Sequence, residues 1–524
     1  MSHMIVPVKT LTFKAYLYIF LIFFIVLLTV LFLFKGGNEL FTRTTYVLTF
    51  ALIIFFMLTL YLARDDLFVQ VAVMTIFFLF YIFPRIFSYL AFPSLVKFPF
   101  GDNVSAVKIN QGLEFVFWGT IMLFLGMGSA FVLSKRLPRV TRHRTIVFDK
   151  KPVFFFFLIS IFVDLFITFW LGVGFLTKLR YETHNSLIQF IKLIFHVDVI
   201  FFMIFLIYLL HDFEEKKLNL RNYIFIFFVY VVYLALNGSR MSGFKILLIF
   251  TFMILYFFPN LNLKPKKFFV FFVTLGLISF LSYPLATQVR VKFIPYFFDK
   301  RGIQNGELLL EFRDFFNVSG STDAGFELYA KPKRLLSDIM NRFGLLDYAV
   351  LTITEKPDSA AKHKYISYSY LGKSIVNTCL PGDPFPDAKL STSRLLPVLY
   401  RGFSEQYVQT HGYFSELYTL WGISYLFWGW MGGLGALFMI GFLLEMAYFF
   451  IHSFCGPLRD YFGLYFLLVI FSYYSSMGLD HSITTTGILF TSLLLVIMGF
   501  YLFGLFFHRL PKYGEIQRSG ECLE

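Results

Sequence analysis

Residues 223–258 read YIFIFFVYVVYLAL (223–236), NGSRMSGFK (237–245) and ILLIFTFMILYFF (246–258). Two apolar runs thus flank a short insert of small and cationic residues, the pattern of a hydrophobic helical hairpin. A cation at the rim of a membrane helix is costly unless it faces water or an anion. Gly238, Ser239, Ser242 and Gly243 let a bulky ligand approach the backbone. A guanidinium grips phosphate oxygens in a planar, two-pronged way. Arg240 is therefore the first candidate for holding a diphosphate, and Lys245 is its neighbour in the same insert.

Such runs recur along the whole chain. Of its 524 residues, 58% are hydrophobic and only 15% charged, and 76 are Phe. Runs near 20 residues are long enough to span the ~30 Å hydrocarbon layer. The expected fold class is an all-α polytopic membrane protein of about 12 transmembrane helices. The spans are read at 11–34, 44–63, 67–91, 113–134, 153–175, 187–210, 223–236, 243–258, 268–287, 424–451, 461–479 and 486–507. The first run is too long for a secretory signal and lacks a small-residue cleavage site. Residues 1–4 (MSHM) and 521–524 (ECLE) look like appended residues and are set aside. Cys379, Cys455 and Cys522 form no CxxC pair, so neither a zinc site nor a disulfide framework is indicated. The formal net charge of +14 does not call for nucleic acid, because basic residues anchor short cytoplasmic loops against anionic lipid.

Basic short loops set the orientation. Residues 135–151 (KRLPRVTRHRTIVFDKK), Lys216 with Lys217 and Arg221, Lys264 with Lys266 and Lys267, and Arg509 with Lys512 and Arg518 all fall on one side if both termini are cytoplasmic. Arg240 then lies on the outer side. So does the one large polar region, 288–412, which is too long for a bare connector. The expected organisation is a bundle over 5–287, an outer loop domain over 288–412, a second bundle segment over 413–510 and a tail over 511–524 with appended residues. Within the loop domain, helical signals fall at 306–316 and 331–353, where LLSDIMNRFGLLDYAVLTI carries apolar residues at helical spacing. The segment around Pro381, Gly382, Asp383, Pro384 and Pro386 must be irregular.

Three features together resemble the bacterial O-antigen polymerases of the Wzy type. They are the Gly-Ser-Arg at an outer helix end, the outer loop with Asn341-Arg342-Phe343-Gly344, and the re-entry that runs from His411 to Tyr418 and on to Trp421-Gly422. The resemblance covers about 223–450. O-antigen ligases and the SEDS peptidoglycan polymerases share the general architecture. The resemblance implies a membrane glycosyltransferase of the C type in the bacterial inner membrane. Its donor and acceptor would both be glycans on undecaprenyl diphosphate, joined at the periplasmic face. It implies no metal, no other cofactor and, in the cell, a chain-length regulator as partner. The loop agrees in having no DxD-like carboxylate pair.

Without a metal, the departing diphosphate needs other positive charge. Arg240 is the leading residue, with Lys245 in support. Further candidates for diphosphate or glycan are Arg290, Arg313, Arg342, Arg394 and Arg401. Arg290 and Lys292 also suit headgroup anchoring, and Arg342 also suits a salt bridge to Asp338. A general base for the acceptor hydroxyl is sought in Glu416 and His411, with Glu405 upstream. His481 beside Asp480 is a further candidate, with a solvated turn as the ordinary alternative. Tyr413 and Tyr418 suit either sugar stacking or an interfacial belt. Charges inside spans are Arg85, Asp164, His196, Asp198 and Glu445. Asp164, His196 and Asp198 permit a proton relay, hence a second reading as a flippase or transporter. The ordinary account is pairing within the bundle. No matched pair of broken helices, common in transporters, is evident.

Overall fold

Long apolar runs without the two-residue alternation of strands fold as helices. In a computed structural model of the chain, the described residues are 5–62, 82–98, 104–137, 145–170, 194–215, 219–236, 265–289, 345–379, 385–388, 395–410, 419–455, 479–506 and 512–514, with a few single positions between them. They form fifteen α-helices, and 86% of them are helical. The helices are α1 (Ile5–Lys35), α2 (Arg43–Leu62), α3 (Phe83–Ala91), α4 (Ala106–Ser134), α5 (Lys150–Trp170), α6 (Val197–Glu214), α7 (Leu220–Leu236) and α8 (Pro265–Gln288). There follow α9 (Leu345–Thr354), α10 (Ser359–Tyr365), α11 (Tyr368–Cys379), α12 (Leu396–Arg401), α13 (Glu405–Thr410), α14 (Leu420–Phe454) and α15 (Leu479–Phe506). Among the described residues, three helices are long and apolar enough to cross a membrane: Arg43–Leu62, Ala106–Ser134 and Leu420–Ile451. Leu21–Lys35, Leu220–Leu236, Val270–Tyr283 and Thr491–Phe506 are shorter apolar helices. The chain is a helical membrane protein. The expected span over 243–258, most of 461–479, the helix at 306–316 and the start of that at 331–353 lie outside the described residues.

The polypeptide folds as two compact units. One comprises residues 1–10, 143–335 and 488–524; the other comprises 11–142 and 336–487. In the first, a short antiparallel ribbon pairs β1 (Thr145–Val147) with β2 (Lys512–Gly514), in the register Thr145 to Gly514 and Val147 to Lys512. Two of the basic stretches assigned to one side by their charge are thus hydrogen-bonded to each other. Beside the ribbon, Lys150 pairs with Asp212 at 2.9 Å. Asp212 also accepts from the Asn219 amide (2.8 Å) and the Tyr223 hydroxyl (3.0 Å). At the other end of the same helices, Tyr233 donates to Asp164 (2.7 Å) and Tyr230 to Asp198 (2.5 Å). A carboxylate inside a helical bundle is costly unless it accepts such bonds. These five interactions tie α5, α6 and α7 together at both ends.

In the second unit the seam is built on α4. Gly112, Gly119 and Gly126 recur every seven residues, so two turns apart they share one face. A Cβ at Gly112 would stand 2.6 Å from a methyl of Val350 on α9. One at Gly119 would strike Leu437 (2.6 Å) and Trp421 (2.9 Å), and one at Gly126 the Phe438 carbonyl. From the other side, a Cβ at Gly441 would strike the Leu123 carbonyl. Small residues let membrane helices approach backbone to backbone, where packing rather than water exclusion holds them.

The seam is directly testable with two nearby glycines. Gly126→Ala should destabilise the detergent-solubilised protein by about 1–3 kcal/mol, because the obstacle is backbone that must shift. Gly128 has open space around it, so Gly128→Ala should be neutral or stabilising by up to ~1 kcal/mol. Equal thermal-unfolding midpoints for the two variants would refute the packing assigned to α4.

Candidate functional site

The element that holds α9 in place is α3, FPRIFSYLA. Pro84 occupies its first turn, where the missing N–H costs nothing. Seven of its nine residues are buried, Arg85 among them. A guanidinium with no exposed surface needs every donor met. Its Nε and Nη2 grip the two carboxylate oxygens of Asp347 on α9. Nη1 donates to Asn341 Oδ1 and Nη2 to the Lys97 carbonyl, both at 2.9 Å. The Tyr89 hydroxyl donates to Asp347 Oδ1, and the Tyr89 and Phe98 rings lie 5.5 and 5.7 Å from the guanidinium. Asn341 accepts from the Lys97 amide at 2.9 Å as well. Burial pushes the Asp347 carboxyl up from the usual carboxylate range, and the Arg85 guanidinium and Tyr89 hydroxyl pull it back. The in-span charge at Arg85 is therefore half of a buried ion pair. Its partner comes from the long polar loop.

That pairing seats α9 within the bundle. Leu346, Ala349, Val350, Leu351 and Ile353 are all buried, and Lys108 of α4 pairs with Glu355 just past the helix. Of the helix expected over 331–353, the described part is α9, which ends at Thr354; apart from Asn341, the earlier part lies outside the described residues. The remainder of the described loop forms a small subdomain of α10 to α13. Its core combines Tyr365, Tyr370, Leu396, Leu399 and Val408 with Leu351 of α9 and Ile423 and Leu426 of α14. Asp358 caps α10 by accepting from the Ala361 amide. Asn377 pins the Pro-rich stretch, donating to the carbonyls of Phe385 and Ala388 and accepting from the Phe385 amide.

The span read at 424–451 is not one straight helix. Gly429 has φ 68° and ψ −163°, a conformation essentially restricted to glycine. Trp421 and Leu437 both lie against Gly119, although a straight helix would separate them by about 24 Å. Gly433 packs on the Ser424 backbone. The chain doubles back at Gly429. The arm 420–428 folds against the start of the arm 430–454, which then runs alongside α4. The apolar sequence hid this break, because glycine within an apolar run does not itself mark a reversal. Thr419 caps the first arm by accepting from the Gly422 amide at 3.0 Å. Gly422 has no room for a side chain beside Thr352 of α9. Thr419 and Ser424 are fully buried and Trp421 nearly so.

Of the sequence-derived site residues, Arg401 ends α12, half-buried, where a cation complements the helix dipole. His481 lies in the first turn of α15. Arg240, Lys245, Arg290, Arg313, Arg342, Arg394, His411, Tyr413, Glu416 and Tyr418 lie outside the described residues. Three described residues flank two of these stretches. Asn341 and Asp347, on either side of Arg342, are both tied to Arg85, and Thr419 follows the re-entry stretch directly. Glu405 accepts from the Tyr365 hydroxyl (3.0 Å) and from Lys364 (3.1 Å) within the subdomain. Among the described residues, no group of three His, Cys, Asp or Glu side chains is placed to hold a metal ion. Compared with known protein families, curated proteins and solved structures, the chain matches none.

Two outcomes test this geometry. Asp347→Ala should cost about 3–5 kcal/mol, since it strands a buried guanidinium. The double variant Arg85→Met/Asp347→Leu should recover most of that loss, read as thermal midpoint in detergent. Gly429→Ala meets no steric obstacle, so its cost is conformational alone, about 1–3 kcal/mol. A wild-type midpoint for Gly429→Ala would mean that the reversal is not built on this backbone.

Proposed function

We propose that the protein is a membrane glycosyltransferase of the C type that polymerises undecaprenyl-diphosphate-linked repeat units. The reading places about 12 spans in the bacterial inner membrane, both termini in the cytoplasm and the reaction at the periplasmic face. The observation that carries it is the stretch NGSRMSGFK between two apolar runs. It offers a bidentate cation among small residues at a helix rim, suited to a diphosphate leaving group without a metal. Support comes from the setting of the two other regions in the resemblance. Arg342 stands in sequence between two residues held by Arg85, and the re-entry leads into an arm that folds back at Gly429.

In this mechanism Arg240 neutralises the diphosphate as the glycosidic bond breaks, with Lys245 assisting. Arg290, Arg313, Arg342, Arg394 and Arg401 line the approach of diphosphate or glycan. Glu416, or His411 near it, takes the proton of the acceptor hydroxyl, and Tyr413, Tyr418 and His481 contact sugars. A ligase moving the glycan to lipid A core would use the same donor half-site. The flippase reading leans on Asp164, His196 and Asp198 as a relay. It loses weight because Asp164 and Asp198 accept from tyrosines of α7, the pairing expected of ordinary bundle contacts.

The purified protein, given only lipid-linked repeat units, should lengthen glycans without nucleotide sugar, ATP or a gradient. Arg240→Ala should lower that rate roughly 100- to 1000-fold, the range for losing one preorganised charge-assisted contact in a transition state. Arg240→Lys should recover only part of it, because the planar fork is lost. Near-normal glycan ladders from Arg240→Ala at normal protein level would refute the mechanism.

A further inference from the structure

The exposed face of α4 changes character along its length. Gln111 and Glu114 are exposed. Trp118 follows one turn on, at 46% exposure, and the large exposed side chains beyond it are Leu125, Val132 and Leu133. Apart from Val107 in the first turn, which is 64% exposed, the order is polar, then tryptophan, then aliphatic, as met on passing from water through headgroups into hydrocarbon. The boundary on α4 therefore lies near Trp118. Phe115, a turn above it, meets the rings of Tyr425 and Trp430 at 5.3 and 5.2 Å, so the reversal at Gly429 stands at the same height.

At that height an aromatic pair faces outward. Trp428, the residue before the reversal, donates its indole N–H to the hydroxyl of Tyr368 at 2.5 Å. Tyr368 opens α11 and is 69% exposed, and Met431, just past the reversal, is 78% exposed. Tryptophan and tyrosine with apolar bodies and polar tips suit a boundary that is wet on one side only. In the last turn of α10, Lys362 is exposed, and Lys364 is exposed but paired with Glu405 at 3.1 Å.

We propose that the α10–α11 face of the loop subdomain rests on the lipid headgroup layer. Tyr368 and Trp428 sit at the boundary, and Lys362 faces lipid phosphates. The occupant is the bilayer, because the surface is continuous with the point where the arm 430–454 enters its span and level with the Trp118 boundary. The subdomain is thereby held flat on the membrane and not raised into the aqueous phase. This inference rests on the membrane-spanning character of α4 and α14 and is independent of the proposed reaction.

The test uses the full chain in lipid nanodiscs with Cys379, Cys455 and Cys522 replaced by serine. A nitroxide is attached at Tyr368→Cys and, separately, at the neighbouring exposed Ser369→Cys. Labels at Glu114→Cys and Leu125→Cys serve as water and lipid references. The ratio of oxygen to nickel-chelate collision at residue 368 or 369 should fall between the two references. It should also rise when the label is moved from 114 to 368. A ratio equal to that at residue 114 for both labels would overturn the proposal. So would protection of both labels by a soluble oligosaccharide, which would make the aromatic pair a sugar platform. Dipolar coupling between labels on two copies would overturn it as well, since the face would then be a protein interface.

Discussion

Arg85 is the point from which the second unit takes its geometry. With no exposed surface, its guanidinium cannot leave a donor unmet, and its acceptors come from two stretches far apart in sequence: Asn341 with Asp347, and the Lys97 carbonyl. Each is fixed relative to the others by one rigid planar group. A buried ion pair of this kind adds little net stability over a well-packed apolar pair, because desolvation offsets the attraction. What it supplies is register. Once Asp347 is set, Val350 meets Gly112 and Thr352 meets Gly422. The position of the folded-back arm then follows.

The helical class was legible because apolar runs near 20 residues admit few other folds. The charge at Arg85 was legible as an anomaly, but its partner was not. Asp347 lies 262 residues away, within a stretch whose polarity suggested an aqueous domain. The spacing Gly112, Gly119, Gly126 stood in the sequence, yet glycine at such intervals is ordinary in membrane helices until a facing backbone is known. The reversal at Gly429 was hidden for the opposite reason. Hydropathy averages over residues, and one backbone dihedral leaves no trace in it. Asp164 and Asp198 read as relay members when taken alone, and as bundle contacts once the tyrosines of α7 stand opposite them.

Seams of glycine and buried ion pairs specify position sharply, and in the second unit both act on α9. Arg85 holds Asp347, while Gly112 and Gly422 close on Val350 and Thr352. A single ten-residue helix is thus fixed from three sides by groups far apart in sequence.

The ribbon between β1 and β2 gives the first unit an unusual order of assembly. Its helices from α5 to α8 leave the ribosome early, but the strand that closes against Thr145–Val147 is made much later, at Lys512–Gly514. The intervening residues 336–487 belong to the other unit. During membrane insertion the first unit must therefore wait, incomplete, while the second is synthesised. A ribosome stalled anywhere before residue 512 would leave Ile146 and Val147, buried in the finished protein, without their strand partner. Such an edge carries unpaired backbone N–H and C=O groups that invite wrong pairing, so the first unit stays exposed to that hazard until the chain has passed through the second.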